Sequence, residues 1–220
     1  MDTEADLDRD VPSPIDLRTP QDALAWEASA LAKRPWRIEF FQAFCAQLAG
    51  CPGPVLELGS GPGFLAAALL PVLAPDAHCV LLDFSAAMHD LARRRLVQHA
   101  ARVSFVQRSF READWTDGLG PFRAVVTNQA VHELRHKRHA SALHAQVRAV
   151  LEPGGSYLVC DHFAGDGGMT DRELYMSAGE QVEALRRGGF AHIEQVLCKG
   201  GMVLHHAGQT SAAALMRSAA

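Results

Sequence analysis

Val55-Leu56-Glu57-Leu58-Gly59-Ser60-Gly61-Pro62-Gly63 is the stretch that decides how this chain folds. An apolar run of strand character breaks into three alternating glycines, and an Ala/Leu-rich stretch follows from Phe64. Glycine takes positive backbone angles without steric cost and leaves the main chain bare, so the segment reads as a sharp strand-to-helix turn that a ligand approaches closely. A helix starting near Phe64 aims its free N–H groups at whatever sits on that turn, which suits a carboxylate or a phosphate.

Spacing narrows the ligand. A dinucleotide site wants G-x-G-x-x-G, whereas Gly59, Gly61 and Gly63 run as G-x-G-x-G and Phe64 stands third after Gly61. Glu57, two residues before the first glycine, would repel a pyrophosphate but attract an ammonium group directly or through water. A zwitterionic amino-acid tail fits better. Asp83 ends the apolar run Cys79-Val80-Leu81-Leu82 and precedes Phe84-Ser85. An ionised carboxylate only accepts hydrogen bonds, so Asp83 can take both hydroxyls of a ribose.

Five motifs in order, E-L-G-S-G-P-G, L-L-D-F-S, F-V-Q-R-S-F, V-V-T-N-Q-A-V-H-E-L and L-E-P-G-G-S-Y-L-V, resemble those of the class I S-adenosylmethionine-dependent methyltransferases. The resemblance runs from about Pro54 to the C-terminal region. A chance doubly wound domain would account for the glycine turn but not for the ordered set. What the resemblance implies is S-adenosylmethionine as cofactor, its methionine part on Glu57, Gly59, Ser60, Gly61 and Gly63. It also implies Asp83 and Phe84 at the ribose and adenine, with Ser109 and Phe110 flanking the adenine edge. Many relatives carry an acidic residue where Ser109 stands, so Ser109 reads equally as a strand-end turn residue.

Composition agrees with one enzyme domain. A chain of 220 residues, 48% hydrophobic and 21% charged, can bury one sizeable α/β core. The longest apolar stretch, Phe64 to Ala74, is too short to span a bilayer and contains Pro71, and the N-terminal residues are acidic rather than basic and apolar. No membrane segment or secretion signal is expected. Five cysteines without a C-x-x-C pair read as reduced packing residues of a cytoplasmic protein. A net charge of −4 without a long basic run argues against a nucleic-acid partner, and Arg93-Arg94-Arg95 reads as a solvated helix face.

Four segments are expected: a flexible arm at 1–20, helices and a possible lid at 21–50, the methyltransferase domain at 51–210, and a tail at 211–220. In the arm, Pro12, Pro14 and Pro20 stand among charged neighbours. The aromatic residues Trp26, Trp36, Phe40, Phe41 and Phe44 of the second segment recur at helical spacing, interrupted at Pro35. They either roof the site or pack as core. Strand and helix runs then alternate through Tyr157 to Cys160, which predicts a doubly wound, mostly parallel seven-stranded sheet with helices on both faces. Ser85 reads as an N-cap, Thr170-x-x-Glu173 and Ser177-x-x-Glu180 as capping boxes. The last two strand runs, Ala191 to Cys198 and Met202 to Ala207, are separated only by Lys199-Gly200-Gly201. A link that short permits an antiparallel hairpin and no parallel crossover.

A sulfonium methyl is already an activated electrophile, so alignment and exclusion of water matter most and no metal is required. Asn128 to Leu134 should face the sulfonium and the acceptor, because ligands gather at the carboxyl ends of the strands in such sheets. His132 and Glu133 are the base candidates there, against a reading as a structural imidazole and a helix N-terminal charge. Asp161 and His162 occupy a second such position. His132-Glu133-Leu134-Arg135-His136 also spells H-E-x-x-H, a zinc pattern, but it lacks the extended continuation and a third ligand, and His136, His139 and His144 read as exposed helix residues. The expected activity is methyl transfer to a small organic acceptor by in-line displacement. Alternatives are a protein or RNA methyltransferase, a non-catalytic cofactor-binding subunit, a dehydrogenase or a zinc hydrolase.

Overall fold

The computed structural model describes residues 10–208. Helices α1 (Pro20–Lys33) and α2 (Arg37–Leu48) come first, followed by β1 (Val55–Leu58), α3 (Phe64–Leu69), β2 (Cys79–Asp83) and α4 (Ala86–Arg95). Then come β3 (Val103–Gln107), β4 (Phe122–Asn128), α5 (Ala140–Val150), β5 (Leu151–His162), α6 (Ala178–Arg187), β6 (His192–Lys199) and β7 (Met202–Gly208). The seven strands form one sheet in the order β3-β2-β1-β4-β5-β7-β6, all parallel except β7, which runs antiparallel between β5 and β6. This is the Rossmann-like methyltransferase fold expected from the motifs.

The strands are apolar almost throughout because both faces are covered. Val55, Leu81, Ala124, Val126, Leu158 and Leu204 pack on one side with Phe40 and Phe44 of α2 and Leu65 and Leu69 of α3. Leu56, Leu82, Val125, Tyr157 and Val159 point the other way, against Leu143 and Val147 of α5 and Leu185 of α6. Each fully buried aromatic or branched side chain contributes about 1.5–3 kcal/mol. The reversal of strand order falls between β1 and β4, and the crevice at a reversal of this kind is where ligands bind in open α/β sheets.

Several local expectations shift. Helix α3 stops at Leu69 rather than Leu73, since Pro71 has no N–H and disfavours helix in the residue before it. Strand β5 begins at Leu151, six residues early, and its pairing with β4 slips between Phe122 and Ala124 to take up Pro153-Gly154. Ser85 caps α4 and Ser177 with Glu180 forms a full capping box on α6. Thr170 caps nothing: Asp171 takes the backbone N–H groups of Glu173 and Leu174, and the segment stays a turn. Gly200 and Gly201, at φ +56° and +75°, make the two-residue turn of the β6–β7 hairpin, with Lys199 paired to Met202.

The arm expected at 1–20 is described from Asp10 onward, and residues 1–9 lie outside the described residues, as does the tail at 211–220. From Asp10 to Thr19 the chain is bonded to the domain. Arg135 accepts from the N–H of Val11 through its carbonyl and donates to the carbonyls of Val11 and Pro12. The Ser85 hydroxyl donates to the Leu17 carbonyl, and Asp10 takes Arg111, Arg138 and His139. No described helix is long and apolar enough to cross a membrane.

Candidate active site

Gly59, Gly61 and Gly63 all hold positive φ, +69°, +51° and +75°, as the sharp turn requires. A methyl group on Gly59 would meet the Cβ of Ala130 at 2.4 Å, whereas one on Gly61 would meet nothing within 4 Å. Gly59 is thus bare so that the β4 loop can approach, and Gly61 turns its open face to the crevice. Asp83 closes the turn from below: one carboxylate oxygen takes the N–H of Gly61 at 2.8 Å and the other the N–H of Ser85 at 2.9 Å. Burial pushes its pKa up to about 6, against the pull of those backbone donors.

Glu57 is 4% exposed, and burial, with the charge of Asp83 adding, raises it to about 8. Among the described residues one of its oxygens has no partner, and neither have Ser60 Oγ and Asn128 Oδ1. Three orphaned polar atoms around one cavity leave a gap for a ligand that donates hydrogen bonds. An ammonium group on Glu57 and a diol on Asp83 suit these acceptors, so these residues fit S-adenosylmethionine. Phe84 and Phe110 line the same cavity of about 230 Å³. Ser109 does not; it lines a neighbouring cavity with Gln107 and Arg108, and its hydroxyl accepts from the N–H of Arg111 at 3.3 Å.

The acceptor side is built at the ends of β4 and β5. Gln129 and Arg135, at φ +57° and +67°, bracket a short 3-10 turn, Val131–Leu134, and two non-glycine residues in that region mark stored backbone strain. The turn brings the His132 ring to Asp161, Nδ1 to Oδ1 at 2.7 Å, while the His132 N–H donates to Oδ2 at 2.8 Å. Glu133 stands on the other side, 3.5 Å from His132 Nε2, and Arg135 holds Glu133 at 3.3 Å. Burial pulls His132 down, but Asp161 and Glu133 outweigh it and push the imidazole up to about 10. His162 is pulled down to about 4 by burial, with the charges of His132 and Arg34 adding. Tyr175, from the loop after β5, stacks its ring 5.3 Å from that of His132.

H-E-x-x-H does not form a metal pair. Left-handed Arg135 interrupts the segment, so His132 turns to Asp161 while His136 faces Glu173 at 3.0 Å. Among the described residues no group of three or more His, Cys, Asp or Glu is placed to hold a metal ion. Nor are His136 and His144 exposed. His144 sits on the buried face of α5 against the Tyr157 hydroxyl at 3.3 Å, and burial drives it down to about 3.

Helices α1 and α2 cover the cavity with Trp26, Ala30, Arg34, Arg37 and Phe41. Arg37 is 3% exposed, donates to the Gln129 side-chain carbonyl, lies 5.4 Å from the Trp26 ring, and keeps a buried Nε without a partner. Arg95, expected on a solvated face, lies 3.8 Å over the Phe64 ring, donates to the Pro62 carbonyl and pairs with Glu27 of α1 at 2.7 Å. Neither arginine was legible as part of the site. The signal for Arg37 was its place at helical spacing with Phe40, Phe41 and Phe44, where a charge needs a reason.

Residues 55–155 match the model of a family described as a methyltransferase domain. A demethylmenaquinone methyltransferase of Clavibacter sepedonicus is 29% identical over 204 residues, which cover 79% of this chain and 78% of that protein. Among solved structures, DhpI in complex with SAH superposes with a TM-score of 0.65 at 22% identity, over 86% of this chain and 93% of that one. An O-methyltransferase family protein from Burkholderia thailandensis gives a TM-score of 0.61 at 19% identity over 72% of this chain. The chain spans about half, 51%, of that protein's length. Residues 55–155 thus carry a methyltransferase-domain match, and the fold around them is the one that class I methyltransferases share.

Proposed function

We propose that this chain transfers a methyl group to a small organic acceptor held under α1 and α2. The observation that carries this is the cavity itself, roofed by Trp26, Ala30 and Phe41, floored by Asn128 and Gln129, and bounded by His162 and Tyr175. Its apolar and aromatic lining on that side suits a small organic molecule. The Clavibacter relative is named for such an acceptor, demethylmenaquinone.

S-adenosylmethionine brings an activated methyl group on a sulfonium. We assign its amino-acid end to Glu57, Gly59, Ser60, Gly61, Gly63 and Asn128, its ribose to Asp83, and its adenine to Phe84 and Phe110 with Ser109 at the edge. On the other side Asp161 fixes the His132 ring, and Glu133 holds its second nitrogen. An imidazole pushed up to about 10 is a cation at neutral pH, so His132, with both ring nitrogens held, acts on the acceptor through its positive charge. That role differs from a base: an acceptor such as a phenol enters as its anion, its proton already left in solvent. Helices α1 and α2 keep water from the crevice. The five cysteines are free of disulfides, which supports a reducing, cytoplasmic setting.

The test is a methyl-release screen of the purified chain with S-adenosylmethionine and a panel of phenols, carboxylic acids and amines. Turnover of at least one is expected. Turnover only with protein or RNA would refute the small-molecule reading.

A further inference from the structure

Arg37 is buried against the Trp26 ring and, among the described residues, without an anion. It comes from the first turn of α2, is 3% exposed, and among the described residues its side chain donates to a neutral amide, that of Gln129. Its buried Nε has no partner among the described residues. Among the described residues neither Arg37 nor its neighbour Arg34, which lines the same cavity, has a carboxylate partner. An uncompensated buried charge is strongly unfavourable, so a guanidinium at such a place calls for an anion that arrives from outside. A planar fork of donors matches a carboxylate in two-point fashion.

The sheet order says which ligand that anion belongs to. Glu57 and Asp83, the cofactor anchors, stand at the ends of β1 and β2. Arg37 reaches instead over the far half: Gln129 follows β4, and the Gln129 amide nitrogen meets Met202 Sδ at 2.6 Å. Met202 pairs with His162 at the end of β5. Arg34 is close enough to His162 and Tyr175 for its charge to add to the burial that lowers His162 and to oppose the burial that raises Tyr175. These two guanidiniums therefore face the acceptor's half of the crevice.

We propose that the methyl acceptor is a small molecule bearing a carboxylate, and that Arg37, with Arg34 beside it, binds that group under the α1–α2 roof. The proposal rests on the reading above that the acceptor is small, and it adds the charge that selects it. The carboxylate serves as a handle on the Arg37 side, with the methylated atom turned toward His132 and Asn128.

The experiment uses the full chain saturated with S-adenosylhomocysteine and matched pairs of probes: benzoate and benzamide, phenylacetate and phenylacetamide, 4-hydroxybenzoate and 4-hydroxybenzamide. Calorimetry should show at least one acid binding about tenfold or more tighter than its amide, the scale of a charge-assisted pair. Arg37→Gln should abolish that preference, Arg37→Lys should keep part of it, and Arg34→Gln, at a half-buried side chain, should weaken it. A second arm measures S-adenosylhomocysteine against 5′-methylthioadenosine, which lacks the amino-acid carboxylate; their ratio should be the same in the native chain and in Arg37→Gln. Equal treatment of acids and amides, including no binding of either, overturns the proposal. So does a loss of S-adenosylhomocysteine but not methylthioadenosine binding in Arg37→Gln, which would give the guanidinium to the cofactor. Methyl transfer to neutral small molecules without preference for acids would overturn the carboxylate and leave the small-molecule reading standing.

Discussion

His132 and Asp161 meet twice, through the ring nitrogen at 2.7 Å and the backbone N–H at 2.8 Å, so one buried carboxylate sets both the position and the charge of the imidazole. Asp161 also takes the N–H of His162 at 2.7 Å, and it is held well below the usual carboxylate range despite its burial by the His132 charge. Asp161→Asn keeps the shape and removes the charge. The His132 imidazole should then titrate several units lower, seen by NMR of its ring protons. We expect kcat to fall roughly 100-fold, the scale of one preorganised electrostatic contact, with cofactor affinity within about threefold. An unchanged imidazole titration would remove Asp161 from this role.

Glycines at 59 and 61 should fail for different reasons. Gly59→Ala places a methyl 2.4 Å from Ala130 Cβ at a positive φ and should destabilise the fold by about 1–3 kcal/mol, read as a lower denaturation midpoint. Gly61→Ala has open space around it and should fold with a smaller loss while binding S-adenosylhomocysteine at least tenfold more weakly, since its face belongs to the ligand. Equal stability losses and equal affinities in the two variants would contradict the assignment.

Removing the Asp83 carboxylate should cost cofactor affinity by about 10- to 100-fold, the range of two charge-assisted hydrogen bonds. Calorimetry of Asp83→Ala with S-adenosylhomocysteine measures it, and unchanged affinity refutes the ribose assignment. Glu57→Gln is expected to leave the free chain as stable or slightly more so near pH 9, because it removes a buried charge.

Stability should peak near pH 6.5. Burial first of all lowers His89 to about 4, His144 to about 3, and His162 and His205 to about 4, from an ordinary 6.5. Each stays neutral in the folded chain while the unfolded chain takes up protons, so stability is lost as pH falls from 6.5 toward 4. His132 works in the opposite sense: raised to about 10, its contribution is full below 6.5 and lost as pH rises through 10. Glu57 and Asp83, both raised, also lose stability with rising pH, up to about 8 and 6. They partly offset the four histidines in acid and reinforce the decline in base. Urea midpoints at pH 5, 6.5 and 9 check this, and a midpoint highest at either extreme would contradict it.

Arg95 should matter more than a surface arginine. Arg95→Met keeps the stem over Phe64 but drops the Glu27 pair and the Pro62 carbonyl contact. Because both partners are about a quarter exposed, we expect a loss of about 1–2 kcal/mol together with faster hydrogen exchange in α1, measured by mass spectrometry. Exchange unchanged in α1 would show the link to be idle.

Features fixed by neighbours in sequence were legible. The glycine turn, Asp83 at a strand end, the Ser177 capping box and the Gly200-Gly201 hairpin each follow from a few adjacent residues. His144 could have been placed as well, since Ala140, Leu143, His144, Val147 and Val150 form one buried helical stripe. Arg37, Arg95 and the Asp10 cluster could not. Their partners lie 92, 33 and 68, and 101 to 129 positions away, and no local periodicity carries that information. Within H-E-x-x-H, the left-handed Arg135 decided the outcome, and a non-glycine residue gives no warning of that conformation.

Trp36 lies on the bare face of Gly200, where an added methyl would meet its ring at 2.4 Å, and Arg37 touches Gln129. The segment that covers the crevice is thus translated ahead of everything it rests on. On the ribosome α1 and α2 emerge as an amphipathic pair with no floor; α3 gives Phe40 and Phe44 part of one, and Trp36 gains its seat only when the final hairpin has been made. Completion of the reaction chamber is in this sense the last event of biosynthesis, and a chain stalled before Met202 would expose its aromatic ceiling to solvent and to other chains.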